Sequence, residues 1–223
     1  MIQHLCDESA RLLEGADGLV VSAGAGMGVD SGLPDFRGNA GLWRAYPALA
    51  GARLAFEEIA SPDAFVRTPA LAWGFYGHRL NLYRRTVPHR GFAILQAIGA
   101  RLPRGSFVFT SNVDGQFQRA GFDENRICEV HGSIHHLQCL DACDGRITPA
   151  TGFEPEVDED ACLLRSPLPR CTGCQALLRP NVLMFGDWGW LSQRTAAQRQ
   201  RLEAWLGGAR RTVVVEIGAG LHV

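Results

Sequence analysis

Two groups of residues have types and spacing that chemistry can use. The first is the run Gly24-Ala25-Gly26-Met27-Gly28-Val29-Asp30-Ser31-Gly32-Leu33-Pro34-Asp35-Phe36-Arg37-Gly38, which follows the apolar stretch Leu19-Val20-Val21. That order predicts a strand feeding a phosphate-binding loop. Glycines let the backbone approach a pyrophosphate closely, and N–H groups exposed in such a turn neutralise the anion. A dinucleotide is the first ligand implied. The spacing departs from the Gly-x-Gly-x-x-Gly fingerprint, with Val29 at the third glycine position and Gly28 one residue early, so the cluster alone also fits a flexible turn. Asp35, Phe36 and Arg37 narrow the field, because few phosphate loops are followed at once by an acid, a ring and a guanidinium.

The second group is Cys139-x3-Cys143 and Cys171-x2-Cys174, two close pairs separated by loop-like residues 144–170. This arrangement places four thiolates tetrahedrally around one zinc ion, and a four-thiolate site leaves no open coordination position, so the expected role is structural. The x3 spacing is unusual, and Cys162 in the intervening loop is a possible substitute ligand. Cys6 and Cys128 sit in apolar contexts and are expected as packed thiols.

These groups need elements to position them. Residues 2–15 carry Ile2, Leu5, Leu12 and Leu13 at helical spacing, and a Gly15-Ala16-Asp17-Gly18 break precedes the first strand. The short runs Phe107-Val108-Phe109, Ile127-Cys128-Glu129-Val130, Val182-Leu183-Met184-Phe185 and Val213-Val214-Val215-Glu216-Ile217 read as buried parallel strands, with helical stretches at 89–101 and 192–206 between them. The alternation predicts an α/β fold with an open, doubly wound, Rossmann-like parallel sheet whose ligand crevice lies at the strands' carboxyl ends. Ser22-Ala23-Gly24, Thr110-Ser111-Asn112, His131-Gly132-Ser133, Gly186-Asp187 and Gly218-Ala219-Gly220 each follow a candidate strand and are expected to converge there. Two excursions interrupt the pattern and are expected to form a smaller domain. Residues 40–88 are a helical insertion and 139–178 a zinc module, so that 1–39, 89–138 and 179–223 make the nucleotide-binding domain.

The 223 residues are 46% hydrophobic with a net charge of −1, enough for a substantial core and without general attraction to nucleic acid or anionic membranes. All 22 basic residues are arginine. The N-terminus has early acids and no long apolar core, and no stretch approaches the roughly 20 apolar residues that span a bilayer, so a cytoplasmic protein is expected.

With these pieces in order, the chain resembles the sirtuins, NAD-dependent protein deacylases, over nearly its whole length. The opening loop resembles the family's Gly-Ala-Gly-x-Ser-x-x-Ser-Gly-Ile-Pro-Asp-Phe-Arg, with Gly28 for the first Ser and Leu33 for Ile. Thr110-Ser111-Asn112-Val113-Asp114 is similar to Thr-Gln-Asn-Ile/Val-Asp, Val130-His131-Gly132 matches the segment of the catalytic histidine, and Arg179-Pro180-Asn181-Val182-Leu183-Met184-Phe185-Gly186-Asp187 resembles Arg-Pro-x-Val-Val-x-Phe-Gly-Glu. The resemblance implies that Gly24, Ala25 and Gly26 cradle the NAD pyrophosphate, that Asp35, Phe36 and Arg37 lie in a loop over the cofactor, and that Ser111, Asn112, Asp114, Gly218 and Ala219 border it. In the family the acyl oxygen of a modified lysine attacks the anomeric carbon of the nicotinamide ribose, nicotinamide leaves, and the histidine acts as general base on a ribose hydroxyl. The resemblance gives that role to His131, with Asn112 beside it. Val182, Leu183, Met184 and Phe185 would hold the acyl-lysine peptide by strand addition.

Phe75-Tyr76-Gly77-His78-Arg79 contains Tyr-x-x-Arg, which in some sirtuins marks a pocket for succinyl, malonyl or glutaryl groups. Arg79 is expected to grip a distal carboxylate and Tyr76 to donate its hydroxyl. Sirtuins continue past the strand at 213–217 with a hydroxyl-bearing turn and a further strand. Here Ala219 and Gly220 lack the hydroxyls, so weakened NAD affinity is expected. Two alternatives follow: an NAD- or ADP-ribose-binding module without turnover, and an NAD glycohydrolase or ADP-ribosyltransferase.

Overall fold

In a computed structural model, residues 2–35 and 38–219 are described, so Phe36 and Arg37 lie outside the described residues. A helix α1 (Ile2–Glu14) leads into β1 (Gly18–Ala23), and β1 pairs in parallel with β2 (Ser106–Thr110). The first helix forms where its spacing predicts, and among its described side chains Leu13 packs on the core, whereas Leu5 and Leu12 are 56% and 51% exposed. Cys6 on the same helix is exposed too, which corrects the expectation of a packed thiol, because no described residue covers that face. Cys128 is buried as expected.

The parallel sheet is completed by β3 (Ile127–Glu129) and β9 (Thr212–Ile217), in the order β3-β2-β1-β9 among the described residues. Side chains alternate across a strand, so Leu19, Val21 and Ala23 face one side and Val20 the other. Phe92 and Leu95 of α7 (Arg90–Gly99) cover the first face. Leu202 and Trp205 of α9 (Gln193–Gly207) cover the second. Helices on both faces make the sheet doubly wound.

Between the two halves of the sheet run α2 (Gly38–Ala45), α3 (Pro47–Gly51), α4 (Phe56–Ile59), α5 (Pro62–Arg67) and the long α6 (Pro69–Arg85). Downstream, α8 (Gln116–Arg119) is followed by a second sheet, β4 (Gly132–Cys139) with antiparallel neighbours β5 (Ile147–Pro149) and β8 (Leu178–Val182), and by the small ladder β6 (Val157–Asp158) with β7 (Leu163–Leu164). Trp73, Phe75, Tyr76, Phe65, Leu49 and Ile134 form the core these elements share.

This sheet corrects one strand. Val182-Leu183-Met184-Phe185 is not a parallel strand of the main sheet: Val182 ends β8, which pairs antiparallel with β4, and 183–185 leave the ladder. Arg179 and Asp187, both buried, explain the departure. Their ion pair of 2.8 Å and the bond from the Met184 N–H to Asp187 fold the chain back on itself directly after β8.

Candidate active site

The glycine loop starts where β1 ends. Gly24 is needed because a Cβ there would sit 2.7 Å from the Gly218 carbonyl and 2.8 Å from the Ala219 Cα. Its N–H donates to the Ile217 carbonyl (3.0 Å), and the Gly26 N–H donates to Gly218 (2.9 Å). The two glycine N–H groups expected to meet a phosphate are therefore spent on the end of β9 and on Gly218 just after it. The glycines serve close approach of backbone to backbone, and the chain then turns as a tight helix over Ala25–Ser31, ended by Gly32 in the left-handed region at φ 84°.

The end of β2 is fixed to the same place. Thr110 Oγ1 donates to the Ala23 carbonyl (3.0 Å) and accepts from the Asn112 N–H (3.0 Å), while Asn112 Nδ2 donates to the Gly24 carbonyl (3.0 Å). Asp114 is buried, and burial pushes its carboxyl up to about 6, with Glu129 adding to the rise while the Gln116 N–H bond (2.9 Å) and Arg79 oppose it. His131 follows β3. Burial holds its imidazole below the ordinary histidine range, with the nearby Ser111 backbone opposing the fall. Its own carbonyl accepts from the Leu183 N–H (2.9 Å), which ties the 183–185 segment to the histidine, and the Phe185 N–H donates to Ala60 (2.9 Å).

Helix α6 contributes the third wall. Gly74 and Gly77 lie on one side, where a Cβ would collide with the Cys162 carbonyl and with Pro155, so residues 155–163 pack directly on the helix. Tyr76 and Arg79 are buried at i and i+3. The Arg79 guanidinium lies 5.1 Å from the Phe75 ring, 5.4 Å from Tyr76 and 5.5 Å from Tyr83. Burial disfavours its charge, but the Tyr83, Tyr76 and Tyr46 phenols more than offset that and raise it above the ordinary arginine value.

These walls enclose one cavity of about 620 Å³. Of the expected site residues, Gly24, Ala25, Asp35, Ser111, Asn112, Asp114, Gly218, His131, Tyr76, Arg79, Val182, Leu183, Met184 and Phe185 line it together. Gly26 and Ala219 do not. Gly186 and Asp187 also stay off the wall, because Asp187 is turned into the Arg179 pair. Phe56, Ala60, Val113 and Tyr83 line the cavity without having been singled out. For Tyr83 a signal existed, because Tyr76, Arg79 and Tyr83 fall at i, i+3 and i+7 on one helix.

A separate cluster holds Cys139, Cys143, Cys171 and Cys174, whose sulfurs all lie within 4.8 Å of one another. Cys139 and Cys174 are 3.5 Å apart, and Cys143 and Cys171 3.6 Å. Four sulfurs about 2.3 Å from a tetrahedral zinc are spaced about 3.8 Å apart, so the set fits that ion. Cys162 is not part of it. It is buried in the core against α6, and burial pushes its thiol up to about 12.

A model of the Sir2 family matches residues 24–208. The chain belongs to the Sir2 family. It is 34% identical over 169 residues to an NAD-dependent protein deacylase of Aquifex aeolicus, a match covering 76% of this chain and 62% of that protein. It is 36% identical over 183 residues to one of Pyrococcus furiosus (81% and 65%), and 34% identical over 192 residues to the mitochondrial NAD-dependent protein deacylase sirtuin-5 of Canis lupus familiaris (79% and 58%). The chain thus spans about three fifths of the length of the curated relatives it matches. Among solved structures, a Sir2 homologue in complex with NAD has a TM-score of 0.72 at 28% identity, covering 97% of this chain and 73% of that one. A Sir2 homologue bound to ADP-ribose gives 0.72 at 26% identity, with 97% and 75% covered.

Proposed function

We propose that this Sir2 chain carries the site of an NAD-dependent protein-lysine deacylase that accepts acidic acyl groups alongside acetyl. The observation that carries the reading is a single cavity with His131 and Asn112 at the glycine loop and Tyr76 with Arg79 in its wall. One opening can therefore admit both a dinucleotide and an acyl-lysine. NAD supplies a ribose carbon from which nicotinamide departs, and acyl transfer to that ribose is the net result.

Each residue has a definable task. A neutral imidazole carries one N–H and one lone pair. Burial keeps the His131 imidazole neutral near pH 7, so one of its ring nitrogens is a proton acceptor. Asn112 is clamped to the Gly24 carbonyl and sets the distance between the β2 end and the glycine loop. Leu183, Met184 and Phe185 spend their N–H groups on His131, Asp187 and Ala60, which holds this segment beside His131 as a fixed wall of the peptide's path. Arg79, surrounded by three rings, meets a distal carboxylate in a desolvated setting, where charge-assisted hydrogen bonds are strongest.

Mass spectrometry of the protein with NAD and matched acetyl-lysine and succinyl-lysine peptides tests the reading, with His131→Ala as control. NAD-dependent loss of the acyl group, absent in the control, supports it. Formation of free ADP-ribose without deacylation would replace it with NAD hydrolysis, and faster loss of succinyl than acetyl assigns Arg79 its substrate.

A further inference from the structure

We propose that Tyr83 completes the carboxylate-binding end of the acyl pocket, donating its hydroxyl hydrogen to an acidic acyl group while holding the Arg79 guanidinium in place. The inference deepens the acidic-acyl reading and rests on it. Tyr83 lies one turn beyond Arg79 on α6 and lines the same cavity. Its ring is buried, and its backbone carbonyl accepts from Gln116 Nε2 (3.1 Å), which fixes that turn of the helix against α8.

The hydroxyl has two capacities, and the structure uses one. Tyr83 Oη accepts a hydrogen bond from Arg79 Nε at 3.0 Å. Among the described residues, no acceptor is found for its own hydrogen. A phenol has one donor hydrogen, and leaving it buried without an acceptor is unfavourable. A carboxylate brought to Arg79 supplies that acceptor. Because Nε is committed to Tyr83, the carboxylate approaches the Nη edge, and the Tyr83 O–H lies beside that approach.

The two functions reinforce each other. The bond at Nε removes rotational freedom of a long side chain before substrate arrives, so less entropy is lost on binding. A neutral acyl chain of the same length meets neither the cation nor the hydroxyl, and sites built to hydrogen-bond a substrate group reject analogues that lack it. Tyr83 is therefore a specificity residue that separates succinyl from butyryl, two acyl groups of equal chain length and different charge.

The test is steady-state kcat and KM on succinyl-lysine and butyryl-lysine peptides for the wild type, Tyr83→Phe and Arg79→Met. Tyr83→Phe keeps the ring, and its succinyl-over-butyryl ratio of kcat/KM is expected to fall about tenfold, mainly through KM for the succinyl peptide. Tyr83→Met, which fills the position without a hydroxyl, reads the same ratio should the phenylalanine variant not fold. If Arg79→Met collapses the ratio while Tyr83→Phe leaves it within about twofold, the role of Tyr83 is overturned and the acidic-acyl reading stands. An equal loss on both peptides assigns Tyr83 to packing alone and also overturns the proposal. A wild type that prefers butyryl, with Arg79→Met unchanged, overturns both.

Discussion

Asp114 is a carboxylate that the fold tolerates at a cost, and replacing it should make the protein more stable. Its pKa rises from an ordinary 3.8 to about 6, first because burial disfavours the charge. A raised carboxyl pKa means that the folded state holds its proton more tightly than the unfolded state. Stability from this group is complete below about pH 4 and is lost as pH rises to about 6, after which the deficit is constant. Two pKa units at about 1.4 kcal/mol each give a deficit of about 3 kcal/mol at pH 8 and about 1.5 kcal/mol at pH 5. Asp114→Asn keeps an oxygen for the Gln116 N–H and removes the charge, so it imitates the protonated acid. Urea denaturation of both proteins should show the variant more stable by about 3 kcal/mol at pH 8, with the gain halved at pH 5. Activity should fall in the same variant, because Asp114 lines the cavity beside Asn112. A gain that is the same at both pH values, or a loss of stability at pH 8, would refute the reasoning.

Further outcomes follow from particular contacts. Metal analysis should find one zinc per chain, and Cys174→Ser should lower that content and the melting temperature together, since binding free energy of a closed thiolate site is folding free energy. Gly218→Ala should destabilise by about 2–4 kcal/mol in thermal or chemical unfolding, because Gly218 sits at φ 64° and its Cβ would overlap the Met27 backbone. Asp187→Asn should lose about 3–5 kcal/mol by the same measurement, as it leaves the buried Arg179 cation without its counter-charge. Arg179→Met together with Asp187→Asn should recover part of that loss.

The parallel sheet was legible because β1, β2, β3 and β9 are short apolar runs ended by polar or glycine residues; burial on both faces leaves that signature in β1 and β3, whereas β9, expected as buried, is half-exposed with Val214 turned outward. The antiparallel sheet was not. Gly132–Cys139 interleaves histidines, serine and glutamine with apolar residues, and its polar groups find internal partners, such as Asn181 Nδ2 on Gln138 Oε1 at 2.9 Å. No local pattern announces such a pairing. Val182–Phe185 was misread for a related reason: an apolar run states that a segment is buried or half-buried, while its partner strand is set by the remote Arg179–Asp187 fold-back. The four cysteines were readable from spacing, and Cys162 was excluded only by seeing it under α6. Tyr83 was missed because the motif that drew attention to α6 ends at Arg79, although the helical period carries on to the next turn.

The way the glycine loop is held has a consequence for how the chain is made. Residues 18–23 leave a ribosome well before one of their two partner strands, residues 212–217, with residues 24–211 made between them. The carbonyls of Ile217 and Gly218 that fix Gly24 and Gly26 arrive after almost the whole intervening chain. At about 5–20 residues per second that delay is roughly 10 to 40 s. Through this interval β1 has β2 on one side and an open hydrogen-bonding edge on the other, which is the surface that mispairs or recruits a chaperone. The glycine loop is thus completed only when residues 212–217 arrive, and a dinucleotide bound as proposed could act as a folding ligand only once that strand has docked.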